Sequence, residues 1–162
     1  MIRKEARFDF DRINRIGMVE AVWGEHKTAD QIINILRTIE KSREIALVTR
    51  VSALKAKKII DVFPYAEFHS SAGCLTLGPP AGLKPGLGNV CILSGGTSDI
   101  AVASEVELPL RWHGVRTEML MDVGVSGLHR LLDNLDILKK SNVVIACAGM
   151  EGALPTVLAG LI

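Results

Sequence analysis

The sequence is poor in aromatic residues, in net charge and in paired cysteines. Two Trp, one Tyr and four Phe in 162 residues give no base-stacking platform. Nineteen basic against eighteen acidic side chains, a net charge of +1, give no field that would track a phosphate backbone. Nucleic acid is therefore not an expected partner. The three cysteines, Cys74, Cys91 and Cys147, are an odd set without C-x-x-C spacing. They read as buried thiols of a reducing cytoplasm rather than as disulfides or metal ligands. The first twenty residues carry charges throughout, and no run reaches membrane-spanning length. No secretory leader and no membrane partner are expected, and the expected location is the cytoplasm. His26, His69 and His113 are scattered without ligand spacing, so no metal site is indicated.

What the chain does have is 48% hydrophobic residues, ample for a core. A charged stretch from residue 3 to residue 17 shows only weak periodicity. Thr28-Ala29-Asp30-Gln31 then fits a capping box, followed by Ile32, Ile35, Leu36 and Ile39 at helical spacing, which predicts a helix over 29–41. Residues 44–51 read as a strand, and Leu54, Ile59, Ile60 and Phe63 suit a helix stopped by Pro64. AEFHS and CLTLG read as a hairpin. Residues 1–77 are thus expected to form a small α/β module.

Residues 78–88, GPPAGLKPGLG, carry no periodic pattern and read as a linker. From 89 to 162 the pattern becomes regular: strand NVCILSG, a helix from about 98 to 112, strand TEMLMDV, a single helix SGLHRLLDNLDILKKS, strand NVVIACAG, and the start of another helix. Alternation of this kind predicts a parallel sheet covered on both faces, as in a flavodoxin-like three-layer domain. Leu128, Leu131, Leu132, Leu135 and Leu138 are expected to form the buried stripe of the middle helix, with Arg130, Asp133 and Lys140 outward. Pro109 is expected to kink its helix or end it early.

In such a sheet the turns leaving the strands gather on one edge, where ligands of open α/β folds bind. Those turns are SGGTSD (94–99), DVGVSG (122–127) and AGMEG (148–152). Each is rich in glycine and opens a helix, whose first N–H groups favour an anion. Gly95 and Gly96 let the backbone close on a ligand, while Ser94, Thr97, Ser98 and Asp99 supply hydroxyls and a carboxylate. The alternative for this turn is purely local, with Thr97 or Ser98 capping the helix and Asp99 complementing its dipole. With Gly124, Gly149 and Met150, these residues are the candidates for holding a phosphate-bearing ligand. The pattern is neither the dinucleotide fingerprint nor a P-loop. Glu151, between Gly149 and Gly152, is the candidate general acid or base, with its ionisation tuned by burial. Its alternative role is that of a first-turn glutamate serving the helix dipole. His129 and Arg130 stand within reach of the same edge.

SGGTSDIAVASE, DVGVSGLHRLL and VVIACAGMEGALPTVLAGL resemble the PurE-like domain of the LarB family, the carboxylase/hydrolase of nickel-pincer nucleotide cofactor synthesis. DFDRINRIGMVEAVWGEHKT resembles the family's D-x-x-R-x-x-R-x-G-x-x-E segment with its K-T helix start, and ALVTR resembles its next strand. The resemblance implies carboxylation of the pyridinium ring of nicotinic acid adenine dinucleotide by CO2 or bicarbonate, with cleavage of the phosphoanhydride to release AMP. It also implies a homo-oligomer. No cofactor is required by the sequence, and magnesium is compatible with the phosphate-bearing substrate. The family's domain continues into a segment whose cysteine is the candidate nucleophile. None of Cys74, Cys91 and Cys147 matches that cysteine, so the chain reads as a C-terminally truncated member. Two other readings are a nucleotide-binding or assembly module without catalysis, and a purine-pathway carboxylase or mutase. The latter's GSxSD turn and histidine motif are not found here.

Overall fold

In the computed structural model of the protein, residues 8–162 are described, and the chain divides into two units, Met1–Pro79 and Pro80–Ile162. Of the charged opening stretch, residues 3–7 lie outside the described residues.

The first unit begins with a short helix, α1 (Arg12–Ile16), stopped by Gly17 in the left-handed conformation at φ 78°. The family-like segment is tied together locally. Arg15 grips Asp9 with both guanidinium nitrogens (3.1 and 2.6 Å), and the Asp9 N–H donates to Glu20 Oε2 at 2.6 Å. The Arg15 hydrogen bond holds the Asp9 carboxyl below the usual carboxylate range. Strand β1 (Ala21–Trp23) follows; with three residues of which only Val22 is buried, it left no alternation to read.

Helix α2 (Ala29–Lys41) starts where the capping box predicted. Thr28 Oγ1 accepts from Gln31 N–H, and the Gln31 side chain accepts in return from Thr28 N–H. Strand β2 (Ala46–Thr49), helix α3 (Ala53–Val62) and strands β3 (Glu67–His69) and β4 (Cys74–Leu77) complete the unit in the order β1-β2-β4-β3. β1 and β2 are parallel, and the other pairs are antiparallel. Ile32, Leu36 and Ile39 of α2 and Ile59 of α3 pack with Val48 and Leu75 in the core. Leu54, expected in this stripe, is exposed.

The second unit is a mixed α/β domain on a parallel sheet, consistent with a flavodoxin-like fold. Strands β5 (Asn89–Ser94), β6 (Arg116–Leu120) and β7 (Val143–Cys147) run in the order β6-β5-β7. The central strand alternates. Val90 and Ile92 face a cluster with Ala103 of helix α4 (Ile100–Trp112), whereas Cys91 and Leu93 face Leu131, Leu138, Leu154 and Leu158. Those leucines belong to helices α5 (Leu128–Leu132), α6 (Leu135–Lys140) and α7 (Ala153–Ala159).

Two expectations are corrected. The helix bearing Pro109 continues one turn past it, to Trp112. Proline removes one helical donor, but the last turn is held from outside: Trp112 is buried, and His113 donates to the Pro109 carbonyl through its backbone N–H (3.0 Å) and through Nδ1–H (2.7 Å). The middle helix is two helices. The Asn134 side chain donates to Arg130 O at 2.8 Å, the acceptor its own N–H would use in a continuous helix, and that N–H turns to Leu131 O instead. The break rotates the leucines apart. Leu131 and Leu138 are buried, Leu135 is half-buried, and Leu128 and Leu132 are exposed. Arg130, expected to face outward, is half-buried.

Candidate functional site

The three glycine-rich turns lie at the C-terminal ends of β5, β6 and β7, joined by backbone contacts. Ser94 is fully buried; its Oγ accepts from Asp122 N–H at 3.0 Å, and its carbonyl accepts from Val123 N–H at 3.0 Å. This stitches the first turn to the second. The Gly95 N–H donates to Cys147 O at 2.9 Å, which stitches the first to the third. A Cβ on Gly124 would lie 2.4 Å from Gly95 O, so the second turn sits directly on the first. The start of α7 packs beside the turn at Val125–Gly127.

Within the first turn, the local alternative is met by Asp99 rather than by the hydroxyls. Asp99 Oδ2 accepts from Gly96 N–H at 2.9 Å, closing the 3-10 turn Thr97–Asp99 that opens α4. Thr97 and Ser98 are exposed, and neither side chain caps the helix. Their hydroxyls stand at the N-terminus of a 13-residue helix, where the unused N–H groups and dipole favour an anion. Gly96 is extended (φ −144°), and an added Cβ would meet nothing closer than 3.8 Å. Packing inside the protein does not require its smallness. Gly149 is likewise unconstrained, with nothing within 4 Å of an added Cβ.

The third turn departs from expectation at Glu151. Its side chain is exposed, not buried, and α7 begins at Ala153 behind the N-cap Gly152, so Glu151 precedes the first turn of the helix. The carboxylate is therefore neither buried nor placed in the first turn of α7. Its backbone is left-handed (φ 34°), as is that of Gly152 (φ 68°), a conformation uncommon for a residue with a side chain. Two consecutive left-handed residues hold the carboxylate out at the mouth of β7. Met150 beside it is 78% exposed.

Reading the sequence missed Asp122, which sits at φ 56° and forms an ion pair with Arg130. The signal was its place as the first residue of the second turn. The pair occupies the Arg130 guanidinium, and His129 is exposed. The edge thus carries Asp99, Asp122 and Glu151 against one cation already engaged. An anion at this edge would meet backbone N–H groups and hydroxyls rather than a net positive charge.

The cysteines contribute no nucleophile. All three are buried; burial pushes the Cys91 thiol up to about 11, and burial followed by the Asp99 charge pushes Cys147 up as well. The reactive species is the thiolate, so neither is poised for attack at neutral pH. Among the described residues no three His, Cys, Asp or Glu side chains come together as a metal-ligand set. No helix among them is long and apolar enough to cross a membrane.

Comparison with known proteins bears on the first unit. Residues 3–79, nearly the whole first unit, match the family model described as LarB/PurE-like N-terminal domain. The first unit is similar to the N-terminal domain of the LarB family. An uncharacterized protein of Methanocaldococcus jannaschii is 32% identical over 170 residues, covering 99% of this chain and 66% of that protein. The chain therefore spans just under two thirds of that relative's length. The matched segment contains the Asp9–Arg15 and Asp9–Glu20 contacts and the Thr28 cap of the first unit.

Proposed function

We propose that the second unit binds nicotinic acid adenine dinucleotide at its three-turn edge and serves carboxylation of the pyridinium ring, with release of AMP. The observation that carries this reading is Gly96, together with the free Thr97 and Ser98 hydroxyls. A glycine that no neighbour and no backbone angle requires stands where a helix N-terminus faces solvent. A phosphate of the dinucleotide sits on that turn, taking the hydroxyls and the backbone N–H groups of Thr97 and Ser98 ahead of α4. The Gly95–Gly124 approach fixes the neighbouring turn and leaves no room for a side chain between them. Gly149 and Met150 border the ring.

The pyridinium ring is electron-poor, so a nucleophile that the three buried thiols do not supply first adds to it. The electron-rich ring carbon then forms the C–C bond to CO2, and loss of that carbon's proton to a base expels the nucleophile and restores the ring. Glu151, held out by two left-handed residues, is that base. Water cleaves the phosphoanhydride, so AMP leaves and the carboxylated mononucleotide remains. The family's ring-activating cysteine is matched by none of the three buried thiols, and no step is assigned to them. No step is assigned to a magnesium ion either; it would be held by the substrate's phosphates. A homo-oligomer belongs to this reading, supported by the exposed apolar side chains Met121, Leu128, Leu132 and Met150 around the edge.

The exposure of Glu151 favours a second reading, nucleotide binding without chemistry. Calorimetry tests the part common to both. Nicotinic acid adenine dinucleotide is titrated into the protein and into Gly96→Val, which fills ligand space without a clash inside the turn. Binding weakened tenfold or more in the variant is expected; equal affinity would place the ligand elsewhere. Glu151→Gln in a complete, active relative with the same AGMEG turn then separates the readings, since loss of a general base slows carboxylation by roughly two orders of magnitude or more.

A further inference from the structure

The opposite edge of the second unit carries a groove that the reading above leaves unused. It has a volume of about 490 Å³, within the range of small-molecule sites. Its walls are the segment before β5, with Leu83, Lys84, Gly86 and Gly88, and the start of β6, with Gly114 and Arg116. It therefore lies at the N-terminal ends of the strands, roughly 15–20 Å from the three turns across the length of β5.

The groove is built by hydrogen bonds rather than by loose chain. Ala81 N–H donates to Trp112 O and Lys84 N–H to Gly114 O, both at 2.9 Å, which fixes the proline-glycine segment along the end of α4. Asn142 Oδ1 accepts from Asn89 N–H at 2.9 Å and holds the base of β5. The α4 carbonyls that would repel an anion here are taken. Those of Pro109, Leu110, Arg111 and Trp112 accept from His113, Val115, Gly114 and Ala81.

Its electrostatics are one-sided. Lys84 and Arg116 are the only charged residues lining it, and no Asp or Glu is among them. Neither cation forms an ion pair within the described residues, unlike Arg15, Arg111 and Arg130. Leu83, 67% exposed, and Pro85 add apolar wall. From this combination we infer that the groove binds a phosphate monoester with an apolar body. A phosphate monoester near neutral pH carries close to two negative charges, matching two cations. A monocarboxylate would leave one cation unmatched. Arginine adds a planar fork suited to phosphate oxygens.

The test is an amide NMR titration of the whole protein at low salt, because exposed charges are screened. The probes are phenyl phosphate and benzoate. Phenyl phosphate is expected to move the amides of Lys84, Gly86, Gly88, Gly114 and Arg116 saturably and to bind at least tenfold tighter than benzoate. The Lys84→Gln/Arg116→Gln double variant, in which two exposed side chains change, is expected to weaken that binding tenfold or more with the rest of the spectrum in place. The single variants are expected to fall between. Gly96→Val is expected to leave the response at Lys84 and Arg116 unchanged, which separates this groove from the three-turn edge. Equal binding of benzoate, shifts confined to residues 94–99, or undiminished affinity in the double variant would each overturn the inference.

Discussion

Replacing Gly124 by alanine puts a methyl group into the contact that holds the site together, and the cost follows from the geometry. The new Cβ would lie 2.4 Å from Gly95 O and 3.2 Å from Gly95 C, whereas real Cβ contacts essentially never fall below 3.0 Å. The two turns must separate by at least about 0.6 Å. They cannot do so freely. Ser94 O holds Val123 N–H, Ser94 Oγ holds Asp122 N–H, and Gly95 N–H is held by Cys147 O. Overpacking costs about 1–3 kcal/mol, and weakening a hydrogen bond adds about 0.5–1.5 kcal/mol, for a total of about 2–4 kcal/mol. Gly96→Ala is the control, because its Cβ finds ordinary contacts of 3.8 and 3.9 Å on an extended backbone. Removing glycine there is neutral or stabilising by up to about 1 kcal/mol through the unfolded chain. At about 4–8 °C per kcal/mol for a unit of this size, the two variants should differ in Tm by at least about 8 °C. Trp112, buried in the second unit, reports its unfolding once Trp23 of the first unit is replaced by Phe. Coincident melting curves for Gly124→Ala and Gly96→Ala would refute the stacking of the second turn on the first.

Two further outcomes check other parts of the molecule. Thr28→Ala removes one half of the capping box of α2 and should lower the stability of the first unit by about 1 kcal/mol, read from urea denaturation; an unchanged midpoint would mean that the cap adds nothing to tertiary packing. The buried thiols should resist a disulfide reagent at pH 8 in the native protein, and all three should react after denaturation. Because burial pushes the Cys91 thiol up to about 11 in the folded protein from the ordinary thiol value of 9.0, its contribution is fully present below pH 9. It is lost as the pH rises toward 11, so denaturation midpoints should fall over that window and fall less in Cys91→Ala.

The legible parts of the fold were those where local chemistry and tertiary packing agree. Thr28 and Gln31 announce a helix start that needs nothing from elsewhere, and α2 begins there. The apolar run Asn89–Ser94 announces a central strand because a strand pairs with each of its edges and helices bury both of its faces. The misread parts are those where one side chain overrules a pattern. The leucine spacing from Leu128 to Leu138 is helical throughout, yet the Asn134 amide occupies Arg130 O and divides the helix. Pro109 carries a strong stop signal, yet Trp112 and His113 secure the turn beyond it.

The site divides along the same line. That three turns meet on one edge was readable, because parallel strands bring their C-terminal ends together whatever the side chains do. What each turn contributes was not, because it depends on backbone angles and on pairings distant in sequence. Asp99 takes the capping role that the hydroxyls of Thr97 and Ser98 could have filled, and this frees both hydroxyls for a ligand. Asp122 engages Arg130, so the proposed reading rests on amides and hydroxyls rather than on a free cation. Glu151, placed by two left-handed residues outside its helix, is held away from the dipole that would otherwise engage it. In each case a group expected to serve the fold is released from it by another residue. The freed groups, Thr97, Ser98 and Glu151, belong to two turns that the Gly95–Cys147 hydrogen bond holds together.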